Sequence, residues 1–256
     1  MAMIGKDGEK AIAFELLAHR GYAARYPENT REAISAAVDA GARSVEFDIQ
    51  LSHDRVPHLL HDEDFRRTGN STKRIFDLDA EQVAGLGVGE PGRLGDAFTE
   101  VRAPKLAEIV EDLRGWSEVT AFVEIKRQSL AHFGIEIVLD AVLEVLEPVL
   151  HQCVIISFDT AVLEETRRRV DRPVGWAIRT WDNSSRKIAD TLQPEYLFCN
   201  VNKLPAAHEA LWEGSWTWVV YEITDWGEAC QLAARGVGMI ETMAYAEMHA
   251  ESGMTR

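Results

Sequence analysis

No stretch of this 256-residue chain approaches 18 uninterrupted apolar residues, so nothing in it reads as a membrane span. Cysteine is scarce. Cys153, Cys199 and Cys230 are odd in number, widely spaced and form no CxxC pair. That argues against a zinc site or a disulfide framework and leaves reduced, structural thiols. Basic charge is also short, with 27 Lys and Arg against 42 Asp and Glu, a net charge of -15. A nucleic-acid surface needs a basic stripe, so no nucleic-acid partner is expected. A small phosphorylated ligand stays open, because a metal and a few local cations can make one pocket positive inside an acidic shell. Met1 to Lys10 carry charges of both signs and no apolar core of a signal peptide, which leads us to expect a cytoplasmic location. Oligomeric state leaves no trace in the sequence.

What is present is an ordinary globular composition, 46% hydrophobic and 27% charged. Short apolar or β-branched runs alternate with amphipathic segments. The runs predict strands at Glu15–Ala18, Val45–Leu51, Phe122–Ile125, Val154–Ser157, Val174–Ile178, Tyr196–Cys199, Trp218–Ile223 and Met239–Thr242. Helical periodicity fills Thr30–Ala40, Lys105–Arg114, Ile135–Leu146, Ala161–Val170 and Glu228–Ala234. Gly41, Gly115 and Gly236 fall just past three of these helices, where a left-handed residue closes the last turn.

Eight strands joined by helices imply parallel pairing, and eight strands close a barrel. From the third strand on, strand starts are 32, 20, 22, 22 and 21 residues apart, whereas the second and third are separated by 77. The expected fold is therefore a (β/α)8 barrel with a small insertion after the second strand. One domain would cover residues 1–256, with the inserted hairpin and loop-rich cap at about 55–103. An open doubly wound sheet is the alternative, weakened because no Gly-rich phosphate loop follows any strand.

In Val45–Leu51, Val45, Phe47, Ile49 and Leu51 share one face of the strand while Glu46 and Asp48 share the other. Two like charges aimed into an interior cost several kcal/mol unless a cation answers them, on the order of the penalty for unpaired buried ions. Phe122–Lys126 repeats the pattern, with Glu124 and Lys126 facing inward. Barrel chemistry sits at the C-terminal ends of strands, and the polar residues of the first three units gather there. His19 and Arg20 end the first strand, Glu46 and Asp48 lie on the second, His61 ends the hairpin that follows it, and Glu124 and Lys126 end the third. Three carboxylates make an all-oxygen site for one hard divalent cation, Mg²⁺, Ca²⁺ or Mn²⁺. His19 and His61 could act as base and acid, and Arg20 and Lys126 could hold a phosphate. Read singly, each has a plain structural account: Arg20 could pair with Glu28, and Lys126 with Glu124. Together they suit phosphodiester cleavage better than chemistry on an uncharged group.

These residues resemble the glycerophosphodiester phosphodiesterases across most of the chain. The resemblance is carried by His19-Arg20-Gly21, Pro27-Glu28-Asn29-Thr30, Glu46-Phe47-Asp48, His61-Asp62 and Glu124-Ile125-Lys126. Phe65 to Asn70 looks like the start of that family's insertion, Pro104 to Glu108 like its end, and Ser157-Phe158-Asp159 like the segment after the fourth strand. It implies a TIM barrel with metal ligands Glu46, Asp48 and Glu124, an acid–base pair His19 and His61, and phosphate contacts from Arg20 and Lys126. The implied substrate is a small-molecule glycerophosphodiester, converted to glycerol 3-phosphate and an alcohol.

The C-terminal third departs from the family pattern. Trp218-Val219-Val220-Tyr221 stands where Trp-Thr-Val-Asn is usual, and Glu241-Thr242-Met243-Ala244 where Thr-Asp-Tyr/Phe-Pro is usual. These ends face the glycerol or alcohol side, so substrate choice is less legible than chemistry. Glu222 and Glu241 are candidates for hydroxyl contacts or for structural roles. Trp176, Trp181 and Trp226 are candidates for an apolar pocket wall or for packing. Two other functions compete: a phospholipase-D-like lyase on lysolipid head groups, whose relatives usually lack the insertion, and a non-catalytic barrel that binds metal or phosphometabolites.

Overall fold

The computed structural model describes residues 14–253. The Met1–Lys10 segment, read above as lacking a signal peptide, lies outside them. The strands are β1 (Glu15–Ala18), β2 (Ser44–Leu51), β3 (Pro57–Leu59), β4 (Thr120–Ile125), β5 (Cys153–Ser157), β6 (Val174–Ala177), β7 (Tyr196–Asn200), β8 (Thr217–Tyr221) and β9 (Met239–Thr242). They form one sheet in the order β1-β9-β8-β7-β6-β5-β4-β2-β3, and β1 also pairs with β2, which closes it. Every pairing is parallel except β2 with β3, the hairpin that leads to His61. Eight parallel strands in a ring make the expected TIM barrel, with β3 as the ninth, added strand.

Side-chain alternation sorts the core into two layers. Val45, Phe47, Ile49 and Leu51 pack outward with the helices in the larger cluster. Leu17, Phe122, Val154, Ile156, Ala177, Phe198, Val219 and Met239 fill the barrel interior. The insertion carries a small core of its own around Phe65, Ile75, Phe76, Val83 and Val88. It consists of short helical turns, at Arg66–Gly69, Ala80–Val83 and Pro91–Leu94, on long connecting loops.

Two sequence expectations are corrected. Gly41 and Gly236 adopt positive φ as expected, but Gly115 is the last residue of the helix Leu106–Gly115, which ends instead on Trp116. β8 stops at Tyr221, because Glu222 turns into left-handed backbone at φ 70°. Of the two readings open for Trp176, Trp181 and Trp226, packing is the one the structure bears out, in the outer layer of the core. Among the described residues no α-helix joins β7 to β8. A loop there presents Trp212 and Trp216, and Trp181 stacks on Trp212 with ring centroids 4.0 Å apart and on Trp218 at 5.4 Å. The aromatic cluster covers the sheet where a helix would otherwise lie. Cys153, Cys199 and Cys230 are free thiols. Among the described residues no helix is long and apolar enough to cross a membrane.

The hairpin strand also buries His58, which is 1% exposed. Burial pushes its imidazole down to about 4, against a weaker opposing pull from the Ala103 backbone. The ring is therefore neutral when folded, while the unfolded chain takes up a proton below about 6.5. Its contribution to stability is complete above that pH and is lost as pH falls towards about 4, by up to about 3 kcal/mol. Urea unfolding of wild type and His58→Leu at about pH 7 and about pH 4.5 should show a smaller acid-induced loss in the variant. Equal losses would refute this account.

Candidate active site

The ends of β1, β2, β4 and β9 converge at the mouth of the barrel. After β1 the chain reverses through two consecutive left-handed residues, Arg20 at φ 54° and Gly21 at φ 77°. A side chain at Gly21 would meet the Ala33 backbone at 2.5 Å, so glycine is what lets this turn lie against the following helix. The turn also aims the Arg20 N–H at Glu46 Oε2, 3.0 Å away.

Glu46 and Asp48 are each 1% exposed, and the Glu124 side chain is 12% exposed. One carboxylate oxygen from each of the three lies within 4.8 Å of the others. Their electrostatic situations differ. Asp48 is fully answered: Lys126 Nζ donates to Oδ1 at 3.0 Å and Asn29 Nδ2 to Oδ2 at 2.8 Å. Arg20 Nε pairs with Oδ2 at 3.2 Å. Burial alone would raise the Asp48 carboxyl, but Lys126 and Arg20 hold it well below the usual carboxylate range. Glu124 has one partner, Lys126, at 2.7 Å, and burial still raises it. Glu46 is the least satisfied. Its Oε1 is buried without a hydrogen-bond partner. Burial, then the charges of Asp48, Glu241 and Glu124, push its carboxyl well above the ordinary range. An orphaned oxygen among three carboxylates is what a site shaped for a hard cation presents.

The two histidines flank this group. His19 is 8% exposed, with Nε2 4.0 Å from Glu46 Oε2, and burial, then Arg20, lowers its basicity well below normal. His61 is about one-third exposed, and its Nδ1 lies 2.7 Å from Asp62 Oδ1. Asp62 also accepts from Arg67 Nε at 2.8 Å, and these two contacts hold its carboxyl down at about 2. Arg67 then forks onto Glu28 at 2.6 and 2.7 Å, and Glu28 accepts from Arg20 Nη1 at 3.0 Å. The Arg20–Glu28 and Lys126–Glu124 pairs foreseen as structural accounts are thus both present.

All seven residues expected from the sequence meet at this one mouth. Three further residues support the site: Asn29 and Arg67, which had no assigned role, and Glu241, a candidate for hydroxyl contacts or a structural role. Asn29, held at φ 57°, grips Asp48 at its carboxylate and at its backbone N–H. Arg67 ties His61's partner to Glu28, and Glu241 places a buried carboxylate near His19 and Glu46. The Glu28-Asn29 pair was the legible signal for the first. Arg67 lies in the Phe65–Asn70 segment that resembles the family's insertion, but nothing there gave it a role.

The fold and its mouth define a TIM barrel with an acidic, imidazole-flanked centre. The chain belongs to the glycerophosphoryl diester phosphodiesterase family, whose model matches residues 19–215. It is 31% identical to human glycerophosphodiester phosphodiesterase 1 over 204 residues, 77% of this chain and 60% of that protein. It is 35% identical to the glycerophosphodiester phosphodiesterase of Caldanaerobacter subterraneus over 121 residues, 47% of this chain and 49% of that one. The matches thus span 60% or less of these relatives' lengths. Similar folds include a phosphodiesterase of Oleispira antarctica, solved in complex with the product sn-glycerol-3-phosphate. It has a TM-score of 0.80 at 19% identity, over 95% of this chain and 98% of that one. The glycerophosphodiester phosphodiesterase of Thermotoga maritima has a TM-score of 0.71 at 23% identity, over 93% and 98%.

The Glu46 charge is costly where it stands. Glu46→Gln should raise the thermal midpoint of chelator-treated protein, by an amount equivalent to roughly 1–2 kcal/mol. The same change should abolish any further rise produced by adding Mg²⁺, Ca²⁺ or Mn²⁺. A variant less stable than wild type in chelator would show that the carboxylate is satisfied after all.

Proposed function

We propose that this protein hydrolyses glycerophosphodiesters to glycerol 3-phosphate and an alcohol. The observation that carries the reading is the Glu46–Asp48–Glu124 cluster, gathered within 4.8 Å and holding one orphaned oxygen, between two histidines. Family membership supports it, as does the glycerol 3-phosphate bound by the Oleispira relative. Glu46, Asp48 and Glu124 would hold one divalent cation, Mg²⁺, Ca²⁺ or Mn²⁺. Such an ion supplies charge to the phosphoryl oxygens as they become more anionic.

The protein's own groups divide the remaining work. Arg20 and Lys126 are fixed cations beside the cluster and contact the phosphate. His19, kept neutral by burial, takes a proton from the attacking hydroxyl. His61 is oriented through Nδ1 by Asp62, which leaves Nε2 to protonate the departing alkoxide. A cavity of about 200 Å³, reached by both histidines, is bordered by Asn200, Tyr221, Glu222 and Glu241. Its small size and hydrogen-bonding rim suit the glycerol hydroxyls. The insertion, with a core of its own, favours the hydrolase over the lysolipid lyase.

His19→Ala and His61→Ala should each lower kcat by about 10²–10⁴-fold on glycerophosphoglycerol or glycerophosphocholine. Near-wild-type turnover in both would remove the acid–base assignment. Chelation should abolish activity, and one of Mg²⁺, Ca²⁺ or Mn²⁺ should restore it. Full turnover in chelator would refute the metal role, and no turnover on any glycerophosphodiester with any of the ions would favour a non-catalytic barrel.

A further inference from the structure

A second cavity, of about 520 Å³, opens from the same centre. It shares His61, Glu124 and Lys126 with the smaller one, and Arg127, Arg179 and Lys203 line its outer part. These three cations come from three separate units of the barrel. Arg127 follows Lys126 after β4, Arg179 lies two residues past β6, and Lys203 three residues past β7. All three are exposed.

Two features set this groove apart. The chain carries a net charge of -15, yet among the described residues the only carboxylate lining the groove is Glu124 of the proposed metal cluster. Elsewhere arginines are widely matched, as in Arg31 with Asp112, Arg93 with Glu90 and Arg169 with Glu165. Among the described residues, the side chains of Arg127, Arg179 and Lys203 make no hydrogen bond or ion pair. Unpaired cations converging on one groove repel each other and attract an anion, and guanidinium groups bind phosphate through paired N–H donors.

We propose that the groove receives an anionic alcohol half of the substrate, so that the preferred glycerophosphodiesters carry a phosphate monoester on the alcohol. The inference rests on the phosphodiesterase reading above. With the diester phosphate beside Lys126 and the glycerol in the smaller cavity, the alcohol arm leaves past His61 and Glu124 into the basic groove. A phosphate on that arm then meets Arg127, Arg179 and Lys203.

The test uses the full chain with its activating divalent cation. It compares kcat/KM for glycerophosphoinositol and glycerophosphoinositol 4-phosphate, in wild type and in the combined Arg127→Ala, Arg179→Ala, Lys203→Ala variant. Wild type should favour the phosphorylated substrate by about tenfold or more, and the variant should bring the ratio close to one. The wild-type preference should also shrink as ionic strength rises from about 0.01 M to about 1 M, which shortens the screening length from about 30 Å to about 3 Å. A wild-type ratio near one overturns this inference alone, as does a ratio that the triple substitution leaves unchanged. Absence of turnover on both compounds, with glycerophosphoglycerol and glycerophosphocholine still cleaved, overturns this inference alone; absence of turnover on all four overturns the phosphodiesterase reading and this inference with it.

Discussion

The mouth of the barrel depends on how Asp48 is held. Its carboxylate is buried at the centre of β2, and three side chains from three segments close on it: Arg20 after β1, Asn29 before the first helix and Lys126 after β4. Arg20 and Lys126 are themselves largely buried, with side chains 15% and 7% exposed. Removing Asp48 would leave Arg20 only Glu28 and Lys126 only Glu124 as ionic partners, a loss on the order of 3–5 kcal/mol for breaking a buried pair. The arrangement fixes the relative positions of three strand ends. Glu46 and Glu124 are left as the partly unanswered charges beside it, so satisfaction of one carboxylate and deficit in its neighbours arise from the same geometry.

From Asp48 a chain of charge-assisted bonds runs outward. Arg20 links Asp48 to Glu28, Glu28 binds Arg67, Arg67 binds Asp62, and Asp62 holds His61. Arg67 belongs to the insertion, and Glu90, also in the insertion, accepts from the Glu28 backbone at 2.7 Å. The insertion is therefore tied to the reactive centre by ionic contacts as well as by its own apolar core. Alternating charges in a partly dry setting reinforce one another, which suits a site whose groups must be in place before substrate arrives.

Much of this was legible because strands have a period of two. Glu46 and Asp48 stand out only because Val45, Phe47, Ile49 and Leu51 are apolar, and both sets fall on the faces their parity dictates. Positions set by local chain geometry were also readable, as with Gly41 and Gly236 at helix ends. What escaped depends on three-dimensional pairing. Arg67 looks like any surface arginine until Glu28 and Asp62 are brought to it across the cap. The end of β8 was misread because Glu222 and Ile223 continue an apolar, β-prone run, and only the left-handed backbone at Glu222 ends it. The missing helix between β7 and β8 was equally silent, since tryptophans at 212 and 216 fit a helix as well as a loop. Gly115 shows the limit of a composition rule: a glycine at a helix end need not be the residue that turns.

The tryptophan corner has a bearing on how this molecule is observed. Four of the seven indoles, Trp181, Trp212, Trp216 and Trp218, lie in one contiguous cluster at β8, Trp181 stacked on Trp212 and Trp218 and Trp216 edge-on to Trp218, with the Arg186 guanidinium 5.2 Å from the Trp216 ring. None of the four lines the cavities at the catalytic mouth. Intrinsic fluorescence is thus a local reporter, dominated by coupled chromophores on one flank of the barrel. It reads the docking of that loop more directly than events inside the catalytic cavities, which none of the four indoles lines.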